Sequence, residues 1–107
     1  MTFTIADMCA AGRTTKRGVY WWEQQGLLPD VERAGNNYRR YSAEHIRRAR
    51  IIAACQMMNM KLEGIKVRLD YWDANWRENI VGGLKWQIKE IEALIANLPI
   101  DEPELDL

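Results

Sequence analysis

The stretch Trp22–Ser42, WEQQGLLPDVERAGNNYRRYS, joins an apolar helix end to a short basic hairpin, and its reading decides the fold. Gly26 and Pro29 flank Leu27 and Leu28, which predicts a helix stopped by glycine and then held by two buried leucines before the chain turns away. Gly35, Asn36 and Asn37 supply the turn, because Gly and Asn tolerate the positive φ values that tight hairpins require. Tyr38, Arg39, Arg40 and Tyr41 then set two guanidinium groups between two aromatic rings on a projecting strand. Such a strand is a wing suited to reaching phosphate.

Upstream of the hairpin, Thr4 and Asp7 have the spacing of a capping box, with Phe3 and Met8 placed as a hydrophobic staple, so a first helix is expected from about Ile5 to Ala11. Gly12 ends it. Thr14 or Thr15 then caps a second helix through Lys16, Arg17, Val19, Tyr20, Trp21, Trp22 and Glu23 to Gly26. Two short helices joined by a glycine-containing turn make a helix-turn-helix, and Lys16 and Arg17 would face the major groove. Gly18 lies inside the second helix at a cost of about 1 kcal/mol relative to Ala, which points to a close backbone approach to another helix or to DNA.

Downstream, Ser42 can cap a third helix whose apolar positions Ile46, Ala49, Ile52, Ala53, Cys55 and Met57 follow helical spacing. A fourth, shorter helix carries Leu62, Ile65 and Leu69, and Trp72 and Trp76 are expected to seal the junction beyond it. In the last helix Val81, Leu84, Ile88, Ile91, Ile95 and Leu98 recur at alternating intervals of three and four, the seam of a coiled coil. No other segment offers a matching heptad, so the simplest partner is the same helix of a second copy. Gly82 and Gly83 interrupt the pattern: either the helix begins near Leu84, or the glycines permit a close crossing.

The composition bounds the remaining possibilities. A chain of 107 residues with 48% hydrophobic content can bury one modest core with an appended helix. The net charge is zero, yet residues 1–50 hold nine Lys or Arg against five acids, leaving the rear half negative. A basic front with an acidic back fits a nucleic-acid docking surface, although charge alone does not separate that from ordinary solvated surface. No apolar run approaches the roughly 20 residues needed to cross a bilayer, and residues 1–4 lack a charged leader, so a cytoplasmic location is expected. Cys9 and Cys55 form no CxxC pair and have only His45 for company, so no zinc site is expected. With one His and no nucleophile triad, carboxylate pair or phosphate loop, an enzyme is the weakest class.

The TxxD opening, the second helix ending in WE before GLLP, the wing ending in NYRRYS, the basic helix after it and the LEGIK segment together resemble the MerR-type transcriptional regulators over roughly residues 3–98. GLLP combined with YRRY at this distance is specific, whereas an isolated helix-turn-helix pattern is not. The resemblance implies a mostly α-helical fold: a winged helix-turn-helix domain over residues 1–72, a dimerisation helix over 73–98 forming an antiparallel coiled coil, and an acidic tail over 99–107.

The implied function is a homodimeric, sequence-specific transcriptional regulator in the bacterial nucleoid, reading an inverted repeat in double-stranded DNA and bending it. Carried over residue by residue, Thr15, Lys16, Arg17 and Tyr20 fall on the helix entering the major groove, with base readout at Lys16 and Arg17. Tyr38, Arg39 and Arg40 fall on the wing against phosphate, Tyr41 packs inward, Arg33 lies at the wing's base, and Arg47 is a further contact. Gly18 and Tyr20 depart from the family pattern. After the coiled coil only Pro99–Leu107 remain, which leaves no room for a small-molecule effector domain, so no metal and no cofactor is expected and control would come from abundance, another regulatory protein or the DNA. Two alternatives remain open: an excisionase-like architectural factor of a mobile element, and a protein-interaction module resembling chaperone modulators that has lost DNA binding.

Overall fold

In a computed structural model, residues 1–71 and 74–100 are described; Trp72, assigned above to a helix junction, and the tail from Asp101 onward lie outside them. Five helices and one two-stranded hairpin follow in the order α1 (Ile5–Gly12), α2 (Lys16–Gln24), β1 (Glu32–Arg33), β2 (Arg39–Arg40), α3 (Ala43–Met57), α4 (Leu62–Tyr71) and α5 (Trp76–Asn97). No helix among the described residues is long and apolar enough to cross a membrane.

Local chemistry starts each of the first three helices. The Thr4 hydroxyl accepts from the Asp7 amide at 3.3 Å while the Thr4 amide donates to the Asp7 carboxylate at 2.8 Å, the reciprocal box expected from the spacing. Thr15, rather than Thr14, caps α2 by accepting from the Gly18 amide at 3.2 Å. Ser42 and His45 form a second box: the Ser42 hydroxyl accepts from the His45 amide at 3.3 Å, and the Ser42 amide donates to His45 Nδ1 at 3.0 Å. That leaves the Nε2 proton to the Pro29 carbonyl, 2.6 Å away, so one imidazole ties the two feet of the hairpin together. A bridge between Phe3 and Tyr41 fastens the β2 side to the N-terminus, with amide-to-carbonyl distances of 2.7 and 3.0 Å.

The core gathers Met8 from α1, Val19 and Trp22 from α2, Leu27, Leu28 and Tyr41 from the connecting chain, Ile46, Ala49, Ile51, Ile52 and Cys55 from α3, Ile65 and Leu69 from α4, and Ile80 from α5. Leu27 and Leu28 are buried as expected, beside Gly26 at φ 77°. Gly12 does more than end α1: a Cβ there would stand 2.6 Å from the Trp22 ring, so its missing side chain lets α1 close onto α2. Burial raises the Cys55 thiol pKa to about 11, consistent with a packed, unreactive side chain.

Three expectations need correction, and the alternative left open at Gly82 and Gly83 is decided in favour of a close crossing. Met57 faces solvent, 55% exposed, because two residues past the buried Cys55 the helix has turned it about 200° away from the core; Ile51, unassigned from the sequence, is fully buried instead. Within the chain the close approach at Gly18 is not to another helix but to Thr14 just before its own, whose hydroxyl a Cβ would meet at 2.1 Å. α5 does not begin at Leu84 but runs unbroken through both glycines, and a Cβ on Gly83 would stand 2.6 Å from Met58 Sδ. The close crossing is therefore within the chain. As its result Leu84, assigned to the intermolecular seam, packs partly buried against its own domain's core, and the exposed part of that seam starts at Ile88.

Candidate nucleic-acid interface

The candidate interface combines the N-terminal turns of α2 with the β1–β2 wing. Val19 and Trp22 are buried, which turns Lys16, Arg17 and Trp21 outward. Lys16, Arg17 and Arg40 are exposed, and among the described residues none of them enters an ion pair. Thr15 is exposed but committed to its cap. Trp21, 45% exposed on the same helix, is an addition that apolar periodicity hid, because tryptophan in a helix reads first as core. Arg13 is the second addition: it leaves α1 in the left-handed region at φ 52° and exposes its side chain at the foot of α2.

The wing is built from a two-residue ladder in which Arg33 faces Arg39 and Glu32 faces Arg40. Its tip is closed by Asn37 at φ 67°, by the Ala34 amide donating to the Tyr38 carbonyl at 2.8 Å, and by the Asn36 side-chain oxygen accepting from the Tyr38 amide at 3.3 Å. Arg33 Nη1 donates to the Asn37 carbonyl at 3.0 Å, stiffening the tip from inside. Tyr38 stands out from it at 73% exposure.

Side chains along the extended chain from β2 into the Phe3–Tyr41 bridge alternate in direction, so Arg39 and Tyr41 turn toward α2 while Arg40 turns away. Glu23 receives both inward partners: one carboxylate oxygen accepts from Arg39 Nε at 3.0 Å, the other from the Tyr41 hydroxyl at 2.9 Å. The Arg39 guanidinium also lies 4.0 Å above the Tyr20 ring, a cation–π contact that accounts for the half-buried Tyr20. Burial, reinforced by Glu23, pushes the Tyr41 phenol well above its ordinary pKa, so it stays a hydrogen-bond donor. Tyr41 packs inward as expected.

Arg47 is bound by Glu44 through Nε at 2.8 Å and also through Nη2, and Arg48 reaches the same carboxylate at 3.3 Å and the Leu27 carbonyl at 3.2 Å. The Arg47 guanidinium holds the Glu44 carboxyl below the usual carboxylate range. The structure thus brings Thr15, Lys16, Arg17, Tyr20, Tyr38 and Arg39 into one region around α2 and the wing tip. Arg40 lies on the opposite wing face, and Arg47 is engaged on α3.

A family profile described as MerR HTH family regulatory protein matches residues 3–72. The chain is 34% identical over 96 residues to the HTH-type transcriptional regulator ZntR homolog of Haemophilus influenzae, covering 88% of this chain and 71% of that protein. It is 33% identical over 69 residues to the HTH-type transcriptional regulator CueR of Bacillus subtilis, an alignment that spans 64% of this chain and 48% of the relative. Among solved structures, HiNmlR, a MerR family regulator lacking the sensor domain and bound to promoter DNA, matches with a TM-score of 0.68 at 22% identity, covering 90% of this chain and 80% of that one. SkgA of Caulobacter crescentus matches with a TM-score of 0.73 at 21% identity, covering 90% and 71%. These structural likenesses carry the winged helix-turn-helix fold with its C-terminal helix, and the sequence matches carry the assignment: the chain belongs to the MerR HTH family of regulatory proteins.

Proposed function

We propose that the protein is a sequence-specific DNA-binding transcriptional regulator that acts as a homodimer on an inverted repeat. The carrying observation is that Lys16 and Arg17 on the first turns of α2 are exposed and without an ion pair among the described residues, next to a wing whose tip is internally braced. Long cationic donors at the N-terminus of such a helix suit guanine edges in the major groove, while Tyr38 and Arg40 suit phosphate. Thr15, Tyr20, Arg33, Arg39 and Arg47 support this surface by holding backbone and neighbouring side chains in place. The exposed seam from Ile88 to Leu98 supports association of two copies through α5, which would present two α2 helices to two half-sites. Bending of the site follows if both wings grip phosphates beyond the half-sites, since extra contacts offset the deformation.

Selection of bound duplexes from a random pool at moderate salt tests the proposal. Recovery of an inverted repeat is expected; absence of enrichment would overturn it in favour of a protein-interaction module. Arg17→Ala should shift the recovered sequence preference. Arg40→Ala should weaken all duplexes about equally and lower the steepness of the log affinity against log salt plot by about one unit. A shift in sequence preference with Arg40→Ala would remove it from the phosphate-binding set.

A further inference from the structure

We infer that Glu23 is a positioning residue for DNA discrimination: by holding Arg39 and Tyr41 together it sets the height of the wing over α2. The inference rests on the DNA-binding reading above. Each oxygen of the carboxylate serves a different partner, at 3.0 and 2.9 Å, and the two partners are alternate residues of the chain, Arg39 on β2 and Tyr41 just past its end. One side chain near the end of α2 therefore grips the wing at two points along its strand, which fixes tilt as well as distance. The Glu23 side chain is only 15% exposed, and shielding from water strengthens charge-assisted bonds of this kind. Arg39 is clamped from its other side by the Tyr20 ring. Glu23 and Tyr20 of α2 are thus locked with Arg39 and Tyr41 of the wing side in one arrangement.

The charge of Glu23 makes its role readable. A carboxylate paired with Arg39, and on the same helix as the exposed Lys16 and Arg17, opposes the attraction of any phosphate backbone, so it lowers sequence-independent binding. Its benefit must lie in the fit of wing and α2 to one particular duplex, because specificity is a difference between two affinities. Positioning and mere negative charge then have opposite signatures. Loss of positioning weakens the preferred duplex; loss of charge strengthens every duplex.

The test compares Glu23→Gln and Glu23→Asp with the parent protein, measuring affinity for the duplex enriched in the selection and for a scrambled duplex of equal length. Gln removes the charge and puts an NH2 donor where one of the two accepting oxygens stood, so it cannot keep both bonds as they stand; Asp keeps the charge but is one methylene too short to reach both. The expected result is a fall of about tenfold or more in the ratio of specific to scrambled affinity for both variants. Scrambled binding should rise for Gln and stay level for Asp. An unchanged ratio overturns the inference, whether affinities rise together, as for a plain charge, or fall together, as for a partly unfolded domain followed by its thermal transition. If the parent protein itself prefers no duplex, the DNA-binding reading fails and this inference fails with it; a discriminating parent with an unchanged ratio in the variants removes the inference alone.

Discussion

Ile91→Asp is expected to convert the proposed dimer into a folded monomer. Ile91 lies between Ile88 and Ile95 on the seam, and these side chains are 48–63% exposed in the single chain, so the domain itself does not depend on them. In a two-copy coiled coil the same positions would be buried, and each copy would bring one carboxylate into the apolar seam. Burying two carboxylates without partners costs on the order of 4 kcal/mol or more, a thousandfold rise in the dimer dissociation constant. Sedimentation equilibrium should show monomer mass across the micromolar range while circular dichroism remains unchanged, and affinity for an inverted repeat should fall toward that of a single half-site. A variant that still sediments as a dimer would place the interface elsewhere than α5.

Gly12→Ala should cost stability out of proportion to one methyl group, and Trp22→Phe should partly restore it. The added Cβ would stand 2.6 Å from Trp22 Cη2 and Cζ3, and Trp22 is 2% exposed and hemmed in by the core, so the ring cannot swing aside. Overpacking of this kind costs about 1–3 kcal/mol. Phenylalanine lacks the outer atoms of the indole that the new methyl would strike, so the double variant should be more stable than the sum of the single effects allows. Chemical denaturation of the two single variants and the double gives the coupling directly. Simple additivity would mean that α1 and α2 relax apart instead of clashing.

Much of the fold is legible locally. Thr4 with Asp7, Thr15 before Lys16 and Ser42 at α3 are short-range hydrogen-bonding signals, and all three operate as caps. Gly26 and Asn37 take the positive φ that their residue types favour, and Leu27 with Leu28 anchors the wing's base. What the sequence conceals is non-local. Glu23 lies 16 residues from Arg39 and 18 from Tyr41, and no periodicity joins them, so Arg39 reads from sequence as a free cation. Likewise Arg47 reads as a contact candidate until its carboxylate neighbour Glu44 is seen three residues earlier, where a helical turn superposes the two. His45 hides in the same way: no periodicity assigns it a role, yet it is the fourth residue of a capping box and a strut to Pro29. The seam itself is visible as a period, but its first member to be covered, Leu84, is claimed by the chain's own core because Gly83 admits Met58.

That contact at Gly83 makes α5 a cantilever. Ile80 and Leu84 hold its root against the domain, and the segment from Lys85 to Asn97 projects beyond it. At 1.5 Å per residue the free arm is about 20 Å long, so a tilt of roughly 10° at the root displaces its end by about 3.5 Å. In a two-copy assembly joined along such arms, that displacement is close to the ~3.4 Å rise of one base step. The residue at position 83 would then act as a gauge for half-site spacing, and a side chain there would retune which spacer length the pair of α2 helices can straddle without touching a single base.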